Sequence, residues 1–404
     1  MASTSSGEWF DDCFAGLAAY YLTSLPVFAS VFFAISFGTP ASSGSDPISA
    51  CFHFDALHYL DIIRGGYSYD PDQGSLVAFF PAYPLLSRWI GQSMHVTSEE
   101  AALLTANLAL LGAFVLLARY VRVRWPEATA EQRGLVLAVF GLWPLGLFFR
   151  MPYAESLFVC GTLAVLYGMA RGWPLLVLAL LTGFVTAVRP VGVALTAAFV
   201  WYVLTKPKPR PSVKAIQVLL LFPLACWGLL AYGAYQWMFF DAPLGFAQTQ
   251  QHWRFLAPED HSYPAKLWSL ATLEPIWDVY VPRSQRYWGN IRSPGAPLFC
   301  LHFWNPILFL LSGAQLAWGG WKRWLTGYEI VLGAILLTMP YTARGFEMSM
   351  ASHGRFAAVV AVNYLVLGRM LARSPPLVVA GLCSVLAIFV FTFTFLHVKN
   401  FAIF

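Results

Sequence analysis

The chain has 404 residues, of which 58% are hydrophobic and only 11% are charged, and its formal net charge is +5. An ordinary soluble domain carries about 25% charged residues, so this composition excludes a disordered chain and argues against a water-soluble enzyme. The apolar residues form runs of roughly 15 to 24 residues separated by short polar breaks, a pattern typical of a multi-pass membrane protein.

The first third of the chain holds three apolar runs. The run at 16–37 follows an acidic stretch instead of the basic residues that begin a cleaved signal peptide, so we interpret it as a retained span. Of the runs 79–94 and 101–118, only the second is expected to cross, since a helix-capping sequence from Thr97 to Glu100 precedes it. The run 79–94 is short and contains prolines and an arginine, so we expect it to lie along or dip into the membrane.

Basic residues form four separate clusters, which the positive-inside rule assigns to the cytoplasmic side. Even numbers of apolar runs separate these clusters, so we predict about eleven spans, with the N-terminus inside and the C-terminus outside. The clusters comprise Arg119, Arg122, Arg124 and Arg133; Lys206, Lys208, Arg210 and Lys214; Lys322 and Arg323; and Arg369 and Arg373. The remaining predicted spans are 134–150, 154–170, 173–188, 190–205, 215–239, 298–319, 327–341, 354–372 and 376–396.

This topology predicts one membrane domain over residues 1–404, with external segments at 38–96, 241–297 and 342–353. These segments are where polar residues are numerous enough for a site. The cysteines are scattered and form no CxxC pair, so neither a zinc site nor a disulfide framework is indicated. The sequence has no nucleotide-binding loop, and its basic clusters are short and separated, so nucleotide-driven chemistry and nucleic-acid binding are both disfavoured.

The first external segment carries two acids, Asp55 and Asp61, close to His58 and Tyr59. A carboxylate at a membrane–water boundary can act as a general base towards a hydroxyl group. The alternative is an interfacial amphipathic helix whose polar face is simply solvated. The aromatic residues and prolines of 79–84 predict a rigid interfacial bend, or an ordinary aromatic belt.

Further charges lie at the external edges of later spans. Glu155 must either pair with an arginine or face a water-filled cavity, because burying it alone is too costly. Arg189 is predicted to hold an anion, since guanidinium matches phosphate geometry, and an ion pair with Glu155 is the alternative. Arg344 and Arg355 belong to a late external cluster that could supply a second phosphate contact. Aromatic and amide residues of 241–297 suit sugar or headgroup recognition, or interfacial packing.

Taken in order, these motifs resemble the PIG-V family, the GPI mannosyltransferase II-like membrane glycosyltransferases of the GT-C type. The resemblance runs from about residue 50 to residue 370. It departs from the family at Phe54, where Trp is usual, and at Val191, where Asn is common. The elements that carry it are Asp55-Ala56-Leu57-His58-Tyr59 with Gly66-Tyr67, Phe79-Phe80-Pro81-Ala82-Tyr83-Pro84, Pro152-Tyr153-Ala154-Glu155-Ser156, Arg189-Pro190-Val191-Gly192, Phe246 with Gln250, Trp253 and Arg254, and Arg355-Phe356.

The resemblance implies an all-α GT-C fold and an inverting glycosyltransferase that uses a polyprenyl- or dolichyl-phosphate sugar, with mannose as the family's sugar. The acceptor would be lipid-linked or a glycan, and no cofactor or obligatory metal is expected, since arginines can stabilise a monophosphate leaving group. By this resemblance Asp55 is the general base, supported by His58 and Glu155, and Arg189 and Arg355 hold the donor phosphate. The implied substrate-binding residues are Tyr59, Tyr67, Tyr83, Tyr153, Gln250, Trp253 and Arg254.

Other functions stay open from the sequence. A transporter or flippase of a lipid-linked anion would use the same intramembrane charges, but it predicts inverted repeats and functional charges on both faces. A non-catalytic binding subunit is disfavoured by the presence of Asp55. The chain lacks an Asn-x-Ser/Thr sequon and is rich in Ala, Leu, Trp and Arg, which favours a bacterial inner-membrane protein with a periplasmic site. The alternative is the endoplasmic reticulum membrane with a luminal site, where the acceptor would be a GPI precursor.

Overall fold

A computed structural model describes residues 6–37, 46–253, 262–290 and 296–401 of the chain. Within these ranges the regular secondary structure is entirely helical, and no strand occurs. The predicted all-α class is therefore confirmed. Arg254, which the resemblance assigns to substrate binding, lies outside the described residues.

The chain up to Phe240 folds into ten helices within the described ranges. The predicted capping box before the run at 101–118 is confirmed, because the Thr97 hydroxyl accepts from the Glu100 amide (3.2 Å) and the Glu100 carboxylate accepts from the Thr97 amide (2.8 Å). These helices are α1 (Ser6–Ser36), α2 (Asp55–Gly65), α3 (Ala82–Met94), α4 (Ser98–Arg124), α5 (Ala130–Gly141), α6 (Glu155–Arg171), α7 (Leu175–Thr186), α8 (Val193–Thr205), α9 (Pro211–Ala225) and α10 (Trp227–Phe240).

The rest of the chain alternates short helices with longer apolar ones. A π-helical turn at Tyr341–Gly345 continues the helix that ends at Pro340 towards the short helix Phe346–Met348. The helices are α11 (Gly245–Gln248), α12 (Tyr263–Ala271), α13 (Glu274–Trp277), α14 (Leu301–Trp321), α15 (Gly327–Pro340), α16 (Phe346–Met348), α17 (His353–Ala358), α18 (Val362–Leu371) and α19 (Pro376–Val398).

Several of these helices are suited to a membrane. Among the described residues, α1, α4 and α19 are each long and apolar enough to cross a bilayer, and the bent pair α9 and α10 would make a fourth span. Their outward faces carry large exposed apolar side chains such as Leu219, Met238 and Leu377, which a water-soluble protein would bury. The chain is a helical membrane protein, and the total of about eleven spans stays a prediction.

Three predicted spans are interrupted in the structure, which corrects their outlines. The run 215–239 is two helices that meet at an angle of 49° after Pro223, a residue that cannot donate to the helical ladder. The run 134–150 stops being α-helical at Gly141, shortly before Pro144. The run 354–372 is divided between α17 and α18, where the Tyr364 hydroxyl donates to the Ala358 carbonyl (2.6 Å) at the break.

The four basic clusters lie together at one end of the helix bundle, which we call the basic end. Arg124 at the end of α4 pairs with Glu329 at the start of α15, and Arg369 at the end of α18 donates to the Arg124 carbonyl (2.7 Å). Tyr202, whose ring lies under the Lys206 ammonium, contacts the ring of Tyr328 beside Glu329. The predicted topology also put all four basic clusters on one side of the membrane, so the two descriptions agree.

The other end of the bundle, which we call the acidic end, carries the start of α6, the start of α2 and the turn between α7 and α8. Helix α15 connects the two ends, since it starts beside Arg124 and finishes at Pro340. Its 14 residues rise by about 20 Å at 1.5 Å per residue. The two ends are therefore separated by most of the thickness of a bilayer core.

Candidate functional site

A cavity of about 480 Å³ opens at the acidic end, between the first external segment and the helices α15 and α17. Its wall carries three arginines and one aspartate, so the charges that line it sum to a positive value. A positive, largely apolar-walled cavity favours an anionic ligand with an apolar part. The residues with polar or aromatic side chains that line it are Asp55, Tyr59, Phe79, Phe80, Arg189, Phe246, Gln250, Trp253, Arg344, Ser352, Arg355 and Phe356.

Asp55 is the first residue of α2, and the backbone before it is unusual. Phe54 has φ 53° and ψ −125°, a conformation that costs a residue with a side chain free energy and that is concentrated at functional sites. This turn brings the chain into α2 so that the Asp55 carboxylate lines the cavity while remaining about one-third exposed. Asp61, six residues later, is solvent-exposed and does not line the cavity.

Arg355 connects the two carboxylates of the site. Its guanidinium lies 2.7 Å from the Asp55 carboxylate and also donates to the Glu155 carboxylate. The same guanidinium stacks on the rings of Tyr153 (4.8 Å) and Phe148 (5.0 Å), which fixes its plane. The preceding Gly354 lets α17 approach α14 closely, because an added Cβ would lie 2.8 Å from the Asn305 side-chain oxygen.

Glu155 lies beneath the arginines and is fully buried. One of its oxygens, Oε1, is shared by Arg355 and by Arg189, whose guanidinium is 2.5 Å away. The other oxygen, Oε2, is buried without a hydrogen-bond partner among the described residues. A buried carboxylate costs several kcal/mol unless it is fully paired, so this arrangement is under-satisfied.

The structure shows the ion pair with Glu155 that was one alternative for Arg189, and its role in holding an anion stays a prediction. Arg189 also lines the cavity. Its guanidinium stacks on Phe356 (5.6 Å), the residue after Arg355. The turn that carries it is held against the first external segment by a hydrogen bond from the Ala82 amide to the Ala187 carbonyl (2.9 Å).

Arg344, in the external segment 342–353, joins the cavity wall to the external segment 241–297. It donates to the Gln250 carbonyl (2.8 Å) and side-chain oxygen (2.7 Å), and also to the Trp253 carbonyl. The Trp253 indole N–H is buried without a hydrogen-bond partner among the described residues. Arg344 thus fixes two predicted substrate-binding residues, Gln250 and Trp253, against the cavity. The sequence placed Arg344 in the late external cluster, but it did not predict these contacts.

Aromatic rings form the wall opposite the arginines. Tyr59 packs edge-on against Phe79 (5.1 Å), and burial raises the pKa of its hydroxyl. His58 does not line the cavity; it stacks on Phe79 (5.0 Å) and meets Trp253 edge-on (4.9 Å). In this position His58 supports the wall and contacts neither Asp55 nor Glu155 through a described hydrogen bond or ion pair.

Three predicted substrate-binding tyrosines are not among the residues that line the cavity. Tyr67 donates to the Phe79 carbonyl (2.9 Å), and the buried Tyr83 donates to the Ala102 carbonyl (2.8 Å). Tyr153 donates to the His53 carbonyl (2.8 Å) while its ring supports Arg355. They brace the segments that carry the site, and they touch it only through other residues.

Of the predicted site residues, the structure thus brings Asp55, Arg189, Arg355, Tyr59, Gln250 and Trp253 to one cavity, with Glu155 directly behind the arginines. In the described ranges no group of three or more His, Cys, Asp or Glu side chains has the arrangement of a metal site. In comparisons with known proteins, no family model and no curated protein matches this chain.

Proposed function

We propose that this protein is a membrane glycosyltransferase that moves a sugar, mannose by the family resemblance, from a polyprenyl- or dolichyl-phosphate donor to a lipid-linked or glycan acceptor. The reaction takes place at the acidic end of the bundle, on the periplasmic face of a bacterial inner membrane or the luminal face of the endoplasmic reticulum. The observation that carries the proposal is the contact between Asp55 and Arg355 on the wall of a cavity that also presents Arg189 and Arg344.

The chemistry needs a base and an anion holder on the same cavity. Asp55 takes the proton of the acceptor hydroxyl as that oxygen attacks the anomeric carbon, which inverts its configuration. The bond between the anomeric carbon and the phosphate oxygen breaks, and its electron pair leaves on the lipid phosphate. Arginines stabilise the charge that develops on the phosphate, and they do so most effectively in a site that excludes water.

The ion pairs of the site give donor binding a second consequence. Arg355 is held by the Asp55 and Glu155 carboxylates, and Arg189 by Glu155. A donor phosphate competes with Asp55 for Arg355, because guanidinium binds phosphate in a two-pronged geometry. Donor binding then releases the Asp55 carboxylate for the acceptor hydroxyl, while the buried Glu155 keeps both arginines in place.

The apolar part of the cavity wall supports the same substrate class. Phe79, Phe80, Phe246, Trp253 and Phe356 line it beside the arginines. Aromatic faces suit sugar rings and isoprenoid chains alike, so one cavity can hold a phosphate and the groups on either side of it. The acceptor site is the open side of the cavity next to Asp55. Of the two carboxylates of the site, Asp55 is more exposed than Glu155.

The test is a transfer assay with purified protein, polyprenyl-phosphate-mannose as the donor and a panel of lipid and glycan acceptors. We expect Asp55→Asn to lower kcat by roughly 100-fold to 10,000-fold, the usual contribution of a general base. The control is Asp61→Asn, which removes the other acid of the same helix at an exposed position outside the cavity. Equal activity of the two variants would remove Asp55 from its assigned role.

The same preparation separates this proposal from a transporter or flippase. In sealed vesicles, a transferase forms glycosylated acceptor without moving the donor across the bilayer. Movement of labelled donor in the absence of any glycosylated product would overturn the proposal in favour of transport.

A further inference from the structure

A second, smaller cavity lies at the basic end of the bundle, far from the candidate site. Its volume is about 160 Å³, and it is formed by the connection from α4 to α5, the connection from α14 to α15 and the end of α18. Two tryptophans, two arginines and one glutamate are among the residues around it. The lining consists of Trp125, Glu127, Gln132, Trp324, Arg369, Ala372 and Arg373.

Stacking on the tryptophans fixes both arginines of this cavity. The Arg369 guanidinium lies 5.1 Å from the Trp125 ring centre and 5.8 Å from that of Trp324, and the Arg373 guanidinium lies 4.7 Å from the Trp324 ring centre. A stacked guanidinium uses its face, so its N–H edges remain available to a ligand. The Arg369 Nε is buried and has no hydrogen-bond partner among the described residues.

The charges of this cavity differ from those of the neighbouring arginines. Arg124 is paired with Glu329 and Arg122 with Asp12, so each of those charges is balanced within the protein. Arg369 donates to a backbone carbonyl, and neither Arg369 nor Arg373 forms an ion pair within the described ranges. With Glu127 as its one carboxylate, the lining keeps a net positive charge.

We propose that this cavity binds the phosphate of an anionic phospholipid headgroup from the cytoplasmic leaflet. The predicted topology puts the basic end at that leaflet, where anionic lipids concentrate. Two arginines that line one small cavity match a phosphate diester, and the tryptophans suit the headgroup level of a bilayer. The occupant is thus a structural lipid, and its binding is independent of the sugar-transfer chemistry proposed for the acidic end.

The test counts lipid molecules that stay bound to the full-length protein. The protein is equilibrated with mixed vesicles of phosphatidylglycerol and phosphatidylcholine, extracted in mild detergent and examined by native mass spectrometry. We expect one phosphatidylglycerol to be retained selectively, and Arg373→Gln and Arg369→Gln each to weaken its retention roughly tenfold, the effect of one charge-assisted hydrogen bond. The control is Arg323→Gln, an exposed arginine at the same end that does not line the cavity.

Equal retention in all three variants, or equal retention of phosphatidylcholine, overturns the proposal. If Arg369→Gln fails to fold, Arg373→Gln still decides, because that side chain is solvent-exposed. A third arm adds inorganic phosphate to the lipid-free protein and follows its ³¹P resonance. Binding of inorganic phosphate as tight as that of the lipid would identify a free anion as the ligand and overturn the lipid assignment. Asp55→Asn should leave lipid retention unchanged, so the outcome does not depend on the transferase activity.

Discussion

Each end of the bundle contains a fully buried glutamate paired with arginine, and the two pairs are built differently. At the basic end, both oxygens of Glu329 are used. Arg124 approaches both of them, at 2.6 and 2.8 Å, the Tyr120 hydroxyl donates to one and the Thr326 amide to the other (2.6 Å). A carboxylate with this many donors is a fixed connection between α4 and α15.

At the acidic end, Glu155 attracts two arginines with one oxygen and leaves the other without a partner. The arginines it holds line a cavity of about 480 Å³. The difference teaches that a buried ion pair alone does not mark a functional site. Incomplete pairing beside an open cavity is the more informative feature, because such groups can still bind a ligand.

Neutralising Glu329 should have the largest effect on stability. Glu329→Gln leaves the mostly buried Arg124 without its counter-charge, so we expect the free energy of unfolding to fall by about 3 kcal/mol or more. Transfer activity per folded molecule should stay close to that of the wild type, because this end is remote from the cavity. Thermal unfolding in detergent measures the first quantity, and Glu131→Gln, an exposed acid at the same end, is the control. A stable but inactive Glu329→Gln protein would contradict the distinction between the ends.

Neutralising Glu155 should instead act mainly on turnover. Glu155→Gln removes the charge that fixes Arg189 and Arg355, and misplaced transition-state contacts cost about 100-fold in kcat. The KM for the donor should not rise, since removal of the Glu155 charge makes the cavity more positive towards the donor phosphate. The loss of stability should be smaller than for Glu329→Gln, because Arg355 keeps the Asp55 carboxylate as a counter-charge. Steady-state kinetics on the folded fraction measure both constants, and a rise in KM at unchanged kcat would disprove the positioning role.

Removing the Arg344 side chain should have a smaller, binding-centred effect. Arg344→Gln releases the Gln250 and Trp253 backbone from the cavity rim, so we expect the donor KM to rise roughly tenfold. Turnover should stay within a few-fold, since Asp55 and Arg355 are untouched. The matched control is Lys266→Gln, a cation of the external segment 241–297 that Arg344 contacts, which does not line the cavity. Equal effects of the two substitutions would mean that general charge, and not the contacts of Arg344, matters.

Local patterns in the sequence predicted most of the helices and the side of the bundle where the charges gather. The capping box at Thr97 is one example, because its two hydrogen bonds join residues three apart. The sequence did not predict bends such as the 49° angle after Pro223, because an apolar run has the same pattern whether its helix is straight or broken.

The sequence predicted which charged residues form the site, but it predicted only some of the contacts between them. Asp55, Glu155, Arg189 and Arg355 stood out because charges are rare in this chain. That Arg355 would contact both acids depends on packing between segments 200 and 300 residues apart, which no local pattern encodes. For the same reason the sequence did not predict the hydrogen bonds of Tyr67, Tyr83 and Tyr153 to backbone carbonyls, and their role in binding substrate stays a prediction.

The smallest expected effect comes from Tyr153 and Tyr120, and it tests whether the ring or the hydroxyl of each tyrosine supports the neighbouring ion pair. Tyr153→Phe removes the hydrogen bond to the His53 carbonyl (2.8 Å) but keeps the ring under Arg355, so activity should fall only about fivefold, as for the loss of about 1 kcal/mol. Tyr153→Leu removes the ring as well and should cost clearly more. At the basic end, Tyr120→Phe removes a donor to Glu329 and should lower stability by a similar amount without changing kcat.

Unfolding and kcat, measured for each of the three variants, assign the roles of the two tyrosines separately. Arg355 is stacked on the Tyr153 ring, whereas among the described residues Arg124 is not stacked on the Tyr120 ring. Loss of a tyrosine ring should therefore lower kcat only at the acidic end. If Tyr153→Phe and Tyr153→Leu reduce kcat equally, the hydroxyl and not the stacked ring orients Arg355. Tyr153 would then support Arg355 through its hydrogen bond to the His53 carbonyl in the first external segment, and not through its ring.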